Sequence, residues 1–290
     1  MAIERRSYGP LTIFPLAFGA GHIGDPEQDD QAIGQLLNQA VDLGINLFDT
    51  ALSYGLSEDR IRRHLGPRRH EVLLSTKVGY GVPGHEDWTP GCIAAGIDQA
   101  LRNMGTDHID IVHLHSCPRQ MLESGSVIEP LLAAVDAGKI RMAAYSGDND
   151  ALAWAVDSGR FHGVQASFSV VDRANQETLR RAIESKKGVL VKRPLLNAVW
   201  RYTDRPEAPD HQTYWDRWQA LALPDFDLPP AEVALRFAND RTHGILLVGT
   251  TKVTNLQKSI DALARGPLDD SILKVLDDRW QAEGGWPAMI

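Results

Sequence analysis

The sequence predicts an α/β protein built as a single (β/α)8 TIM barrel, and three observations predict it. Short β-branched and apolar runs alternate with amphipathic stretches through nearly the whole chain, as a series of βα units would. The residues that close the strand-like runs (Asp49, Lys77, His115, Ser146, Phe168, Arg193) recur at roughly 30-residue intervals, the length of one such unit. The 290 residues fill one barrel, so 1–290 is expected to be a single domain. A doubly wound sheet also alternates strand and helix. It usually announces itself by a Gly-rich turn after the first strand, of which GAGHIG is a weak imitation.

The elements follow in order. LTIFPLAFGAG carries the first barrel strand, with an N-terminal β-hairpin before it. DDQAIGQLLNQAVDLG reads as a helix with an acidic start and a glycine stop. INLFDT is a strand, and SEDRIRRHLG a helix with a serine cap, ending at Gly66. EVLLSTKVG is a strand, and TPGCIAAGIDQALRNMG a helix capped by Thr89 with proline in its first turn. The alternation continues through HIDIVHLHS, VIEPLLAAVDAGK, IRMAAYSG, DNDALAWAVDSG, HGVQASFSV and NQETLRRAIESKKG. After the seventh strand, VLVKRPL, a long loop precedes the helix PPAEVALRFAND and the last strand, HGILLVGTT. Helical material then runs from Val253 to the neighbourhood of Glu283.

Composition removes several classes of function. The 30 basic residues against 38 acidic ones give a net charge of −8 with no basic run, which argues against a nucleic-acid partner. The N-terminus has no apolar signal core, and no run of about 18 apolar residues occurs, so no membrane span is expected. The two cysteines, Cys92 and Cys117, form no CxxC motif. That usage fits a reducing, cytoplasmic setting with neither a disulfide framework nor a structural zinc site.

In a barrel, chemistry sits on the loops at the C-terminal strand ends. Asp49 closes the second strand, Tyr54 follows in its loop, Lys77 closes the third and His115 the fourth. Taken singly, these could be a helix cap, a rim aromatic, a solvated strand end and a packed histidine. Arriving together at one rim, they describe a proton donor. A free tyrosine, with a pKa near 10, is a weak acid at neutral pH, and an adjacent ammonium stabilises a phenolate. A lysine kept charged in a partly dry site needs an anion, which Asp49 supplies. An imidazole can orient a carbonyl oxygen beside the phenol.

These motifs resemble the aldo-keto reductase superfamily. LFDTALSYGLSE is similar to its Asp-Thr-Ala…Tyr-Gly signature, LLSTKVG to its lysine strand and DHIDIVHLHS to its histidine strand, and the likeness runs from YGPLTIFPLAFGAG to about Leu263. The resemblance implies a nicotinamide-dependent oxidoreductase that interconverts an aldehyde or ketone and an alcohol by hydride transfer. Tyr54 would be the general acid/base, with Asp49, Lys77 and His115 around it. The cofactor would lie along the barrel rim, with no Rossmann fold.

The cofactor residues implied are Gly19 and Ala20 after the first barrel strand, and Ser146 and Gln165 for the nicotinamide carboxamide. The family's asparagine after that serine is replaced by Gly147, leaving Asp148 or Asn149 to compensate. Phe168 stands where an aromatic ring stacks on the nicotinamide. Lys192, Arg193, Pro194 and Leu195 fall near the pyrophosphate path. Gly249, Thr250 and Thr251 offer an anion site at a helix N-terminus. Asn255 occupies the position of the arginine used for the 2′-phosphate of NADP, and Lys252, the nearest cation, is not equivalent to a bidentate guanidinium; NADP(H) is therefore expected as the family's default, with NAD(H) open.

A small carbonyl or alcohol substrate is expected under the rim loops, with Trp88 and Trp200 as pocket residues and Trp286 of the tail reaching over it. Tyr202 and Tyr214 belong to the same long loop, whereas Trp215 and Trp218 read as its small core. Two other readings compete. Superfamily members also serve as regulatory subunits that bind nicotinamide cofactor as redox sensors. His113 and His115 share a strand face at a metal-ligand spacing, as a barrel zinc hydrolase would need. The later strand ends add no His or Asp apart from Asp148, and His162 lies at the wrong end, so His113 is expected to be a buried, hydrogen-bonded core residue with no metal bound.

Overall fold

A computed structural model describes residues 3–289. An antiparallel hairpin, β1 (Arg6–Tyr8) and β2 (Leu11–Ile13), precedes eight parallel strands. These are β3 (Leu16–Gly19), β4 (Leu47–Asp49), β5 (Leu73–Val78), β6 (Ile109–His115), β7 (Ile140–Ser146), β8 (Gly163–Ser167), β9 (Gly188–Lys192) and β10 (Ile245–Val248). Each pairs with the next and β10 pairs with β3, which closes the barrel. Around it lie α1 (Asp30–Asp42), α2 (Ser57–Leu65), α3 (Pro90–Met104), α4 (Arg119–Ser124), α5 (Ile128–Asp136), α6 (Asn149–Asp157) and α7 (Gln176–Glu184). The ring is completed by α8 (Pro209–Ala220), α9 (Pro230–Thr242), α10 (Val253–Ala264) and α11 (Asp270–Ala282). Among the described residues no helix is long and apolar enough to cross a membrane.

Strand alternation divides the core into two shells. One set of side chains packs outward against the helices, while Ala17, Leu47, Ile111, Met142, Leu190 and Leu247 fill the barrel interior. The hairpin seals the N-terminal end by adding Tyr8, Leu11 and Ile13 to that interior layer. Tyr8 fits because β8 and β9 begin with glycine: a Cβ on Gly163 or Gly188 would lie 2.2 Å from Tyr8 atoms. With that end plugged by apolar groups, the polar interior residues collect at the opposite rim.

Thr89 caps α3 as expected, accepting the Cys92 N–H at 3.2 Å, with Pro90 in the first turn. Asp29 caps α1 through the Ala32 N–H at 2.6 Å. Ser57 is not the expected cap. It is the first residue of α2, and its hydroxyl accepts from Thr50 (2.7 Å) and donates to the Ala20 carbonyl (2.9 Å), pinning two rim loops together. Gly66 does end α2, but in right-handed backbone that runs on into a 3-10 turn. The long loop after β9 has structure of its own: a 3-10 turn at Leu196–Arg201, then α8. Its core is Tyr214, fully buried, and Trp200 packed on Trp218 at 5.9 Å between centroids.

Candidate active site

Asp49 and Lys77 form the centre of the rim. The Lys77 ammonium donates to Asp49 Oδ2 at 2.6 Å and to the Thr50 carbonyl at 2.7 Å, with the two side chains 2% and 4% exposed. Asp49 Oδ1 accepts from Ser75 at 2.7 Å and from the Gln165 amide at 3.0 Å, and Gln165 in turn accepts from Ser146 at 2.9 Å. Burial alone would lift Asp49 and lower Lys77. Burial is the largest single influence on each, but the neighbouring charges and hydrogen bonds together outweigh it, so the carboxyl is held below its ordinary range and the ammonium above its own. The Tyr54 phenol adds to the stabilisation of the ammonium, whose nitrogen lies 5.0 Å from the ring centroid.

Tyr54 is held there by a close backbone approach. Its N–H donates to Ala51, its carbonyl accepts from Ser57, and the following turn docks on Gly24 through the Leu56 N–H at 2.9 Å. A Cβ on Gly24 would lie 1.8 Å from the Tyr54 carbonyl oxygen, and Gly55 opposite it has φ +52°. Arg60, buried, fastens the same loop by donating to the carbonyls of Ile23, Asp25 and Gln28.

His115 meets Tyr54 edge to face, centroids 6.1 Å apart and planes at 82°. Burial, with the ammonium groups of Lys77 and Lys192, pushes it down to about 3, so it is neutral at physiological pH. Its Nδ1 lies 2.8 Å from the Tyr80 hydroxyl. His113 sits one layer deeper, fully buried, with Nδ1 3.3 Å from the Thr76 carbonyl and 3.4 Å from Ser75. Its Nε2 has no partner among the described residues, and burial pushes His113 down to about 4. Among the described residues no three His, Cys, Asp or Glu side chains stand where a metal would need them.

The remaining expected residues divide. Gly19 and Gly249 approach closely across the β3–β10 seam: a Cβ on Gly249 would lie 3.1 Å from the Gly19 carbonyl, and Ala20 beside it is buried. Thr250 accepts from the Lys252 N–H (3.1 Å) and the Asn255 amide (3.0 Å), which makes Asn255 an internal brace. Among the described residues no side chain caps the N-terminus of α10, and Thr251 and Lys252 are exposed at it. Arg193 keeps one buried guanidinium nitrogen, Nη1, without a partner among the described residues. It opens a turn in which Leu196, Asn197 and Ala198 share its left-handed backbone, while Pro194 is buried and Leu195 packs against the core. A buried unpaired donor and an uncapped helix N-terminus suit a phosphate-bearing ligand.

Three expectations are corrected. Phe168 does not face the rim: Gln165 points inward, so alternation turns Phe168 outward, where it is fully buried and stacked on Phe237 at 5.8 Å. Lys192 is not a free cation, because Asp148 Oδ2 pairs with it at 2.8 Å. Asp148 is further tied to the Ser167 N–H (2.8 Å) and Asn175 (2.7 Å), so it braces β8 and cannot stand in for the missing asparagine; Asn149 is exposed. Trp200 packs on Trp218, and Trp286 on Trp280 and Arg217. Trp88 lies at the site, edge-on to Tyr80 at 5.9 Å. Sequence reasoning missed Ser75, Tyr80 and Asn175. Of these only Ser75 carried a signal, its strand parity with Lys77.

The profile of the Aldo/keto reductase family matches residues 15–280. The chain is similar to the oxidoreductase YrpG of Bacillus subtilis, 25% identical across 95% of this chain and 94% of that one. It is 30% identical to the L-galactose dehydrogenase of Arabidopsis thaliana over 50% of this chain and 49% of that protein. The holo form of an aldo-keto reductase from Bacillus halodurans shares the fold, with a TM-score of 0.83, 24% identity and 96% of each chain covered. The match across nearly the whole barrel, together with the rim it encloses, makes this chain a member of the aldo/keto reductase family.

Proposed function

We propose that this chain interconverts a carbonyl and an alcohol at the C-terminal rim, with Tyr54 as the proton donor and NADP(H) preferred over NAD(H). Family membership supports the general part, a nicotinamide-dependent oxidoreductase acting on small carbonyl compounds. The observation that carries the finer part is the Lys77 ammonium, buried and kept charged between Asp49 at 2.6 Å and the Tyr54 ring at 5.0 Å. When bound, the cofactor supplies the hydride in reduction and accepts it in oxidation. In reduction, the Tyr54 hydroxyl gives its proton to the nascent alkoxide, and Lys77 offsets the phenolate charge left behind. Asp49 holds Lys77 in place, and neutral His115 orients the carbonyl oxygen. Ser146 and Gln165, joined to Asp49, stand beside this set and would receive the carboxamide of the nicotinamide. Gly19, Ala20 and Gly249 would let the cofactor lie close to the backbone, Arg193 and the α10 N-terminus would hold its phosphates, and Lys252 would meet a 2′-phosphate.

The test is quenching of tryptophan fluorescence by NADPH and, separately, NADH, followed by turnover with simple aldehydes. Saturable quenching, tighter for NADPH, with aldehyde-dependent cofactor oxidation supports the proposal. No response to either cofactor would remove it. Tight binding with negligible turnover on every carbonyl tried would leave a redox sensor in its place.

A further inference from the structure

The loop after β5 carries a hydroxyl that the reaction described above does not use. We propose that Tyr80 is a positioning residue for His115: its phenol donates to Nδ1, which fixes the imidazole as the tautomer protonated on Nε2 and turns that N–H toward the substrate oxygen. This inference rests on the carbonyl-reduction reading of the same rim. A neutral imidazole has one donor and one acceptor nitrogen, and the hydrogen bond at one decides what the other can offer. Tyr80 Oη lies 2.8 Å from His115 Nδ1, and it has no other hydrogen-bonding partner among the described residues. Its proton is therefore free for Nδ1. A phenol oxygen, its lone pair delocalised into the ring, is a better donor than acceptor. His115 Nε2 makes no hydrogen bond within the described residues, so it is the atom left for a ligand.

The loop is built to hold this contact. The Tyr80 ring lies over the imidazole, centroids 5.2 Å apart and planes at 24°, so two χ angles of each side chain are restrained together. Trp88 meets Tyr80 edge-on, at 5.9 Å and 60°. Trp88 is itself fixed: its N–H donates to the Gly79 carbonyl at 2.8 Å, and its ring covers Gly79 so closely that a Cβ there would lie 2.2 Å from it. Gly79 has φ +144° and Trp88 φ +58°, backbone settings that the loop keeps in order to make this stack. Trp88, Tyr80 and His115 thus form one buttress, and Tyr54 stands at its end. Burial, with the positive field of Lys77 and Lys192 added to it, keeps the imidazole neutral, so the tautomer is the variable left for Tyr80 to set.

The experiment is nitrogen-15 NMR of the histidine side chains in the cofactor-free full-length protein, comparing wild type with Tyr80→Phe. Phenylalanine keeps the stack and removes only the hydroxyl. The wild-type His115 signals should show a single tautomer with the proton on Nε2, and Tyr80→Phe should show a mixture. Carbonyl reduction by Tyr80→Phe should fall about 10-fold in kcat with NADPH affinity unchanged, since only orientation of the substrate oxygen is lost. A wild-type proton on Nδ1, or an unchanged tautomer in Tyr80→Phe, overturns the proposal. Should the variant fail to fold, the wild-type spectrum alone decides. Normal turnover by Tyr54→Phe would refute the reaction itself, and the NMR result would still judge Tyr80.

Discussion

Replacing Lys77 with methionine leaves a buried carboxylate without its counter-ion, and the structure sets the scale of the loss. Asp49 is 3% exposed, and among the described residues Lys77 is the one side chain that donates to its Oδ2, whereas Oδ1 keeps Ser75 and Gln165. Breaking a buried pair by removing one partner costs about 3–5 kcal/mol. Because two donors survive, Lys77→Met should lie near the lower end, about 3 kcal/mol. The pH dependence follows from the same change. In the wild type the Asp49 carboxyl lies below its ordinary range, so its contribution to stability is present at neutral pH and lost as pH falls through that depressed value. Without Lys77, burial dominates and raises it. The penalty in Lys77→Met should then be largest at neutral pH and above, and should shrink as acid protonates Asp49. Urea unfolding at pH 8 and pH 5 measures both quantities, and Lys77→Met/Asp49→Asn should recover part of the loss at pH 8. A loss under about 1 kcal/mol at pH 8, or one independent of pH, would refute the reasoning that makes this pair the charged centre of the rim.

Gly24→Ala should cost about 1–3 kcal/mol, because its Cβ would meet the Tyr54 carbonyl at 1.8 Å. It should also lower kcat, as the Tyr54 turn must move; thermal unfolding and steady-state kinetics check the pair. Asp172, buried and accepting from the Tyr214 hydroxyl, is pushed up by burial from 3.8 to about 6. Its folded-state value is raised, so it destabilises the fold above pH 6, and the penalty is relieved as pH falls toward 4. Asp172→Asn should therefore stabilise by up to about 3 kcal/mol at pH 8 and by almost nothing at pH 4, which unfolding at the two pH values will show. Lys252→Ala should weaken NADPH binding by about 10-fold (about 1.4 kcal/mol) while leaving NADH binding unchanged, as fluorescence titration of both cofactors would show.

Much of the site was legible because strand ends and strand parity are local. Asp49, Lys77 and His115 each close an apolar run, and the two-residue period places His113 one layer below His115 and Ser75 beneath Lys77. The same rule, applied one residue too loosely, misplaced Phe168: it follows the end of β8 on the outward parity. What the sequence hid was non-local partnership. Lys192 looks free until the fold brings Asp148, which follows β7, to 2.8 Å from it. Ser57 has the residue type of a cap, yet the rim loops claim its hydroxyl. Tyr80 lies in a loop with no periodicity, so only the fold could bring it onto His115.

In the reaction proposed above, Tyr54 moves the proton while the rest of the rim binds the cofactor and tunes the site. Single-turnover reduction of an aldehyde by Tyr54→Phe, mixed with saturating NADPH, tests it most directly. NADPH affinity should stay within about 3-fold of wild type and the reduction step should slow by at least about 100-fold, the usual contribution of a positioned general acid. Reduction by Tyr54→Phe at the wild-type rate would contradict it.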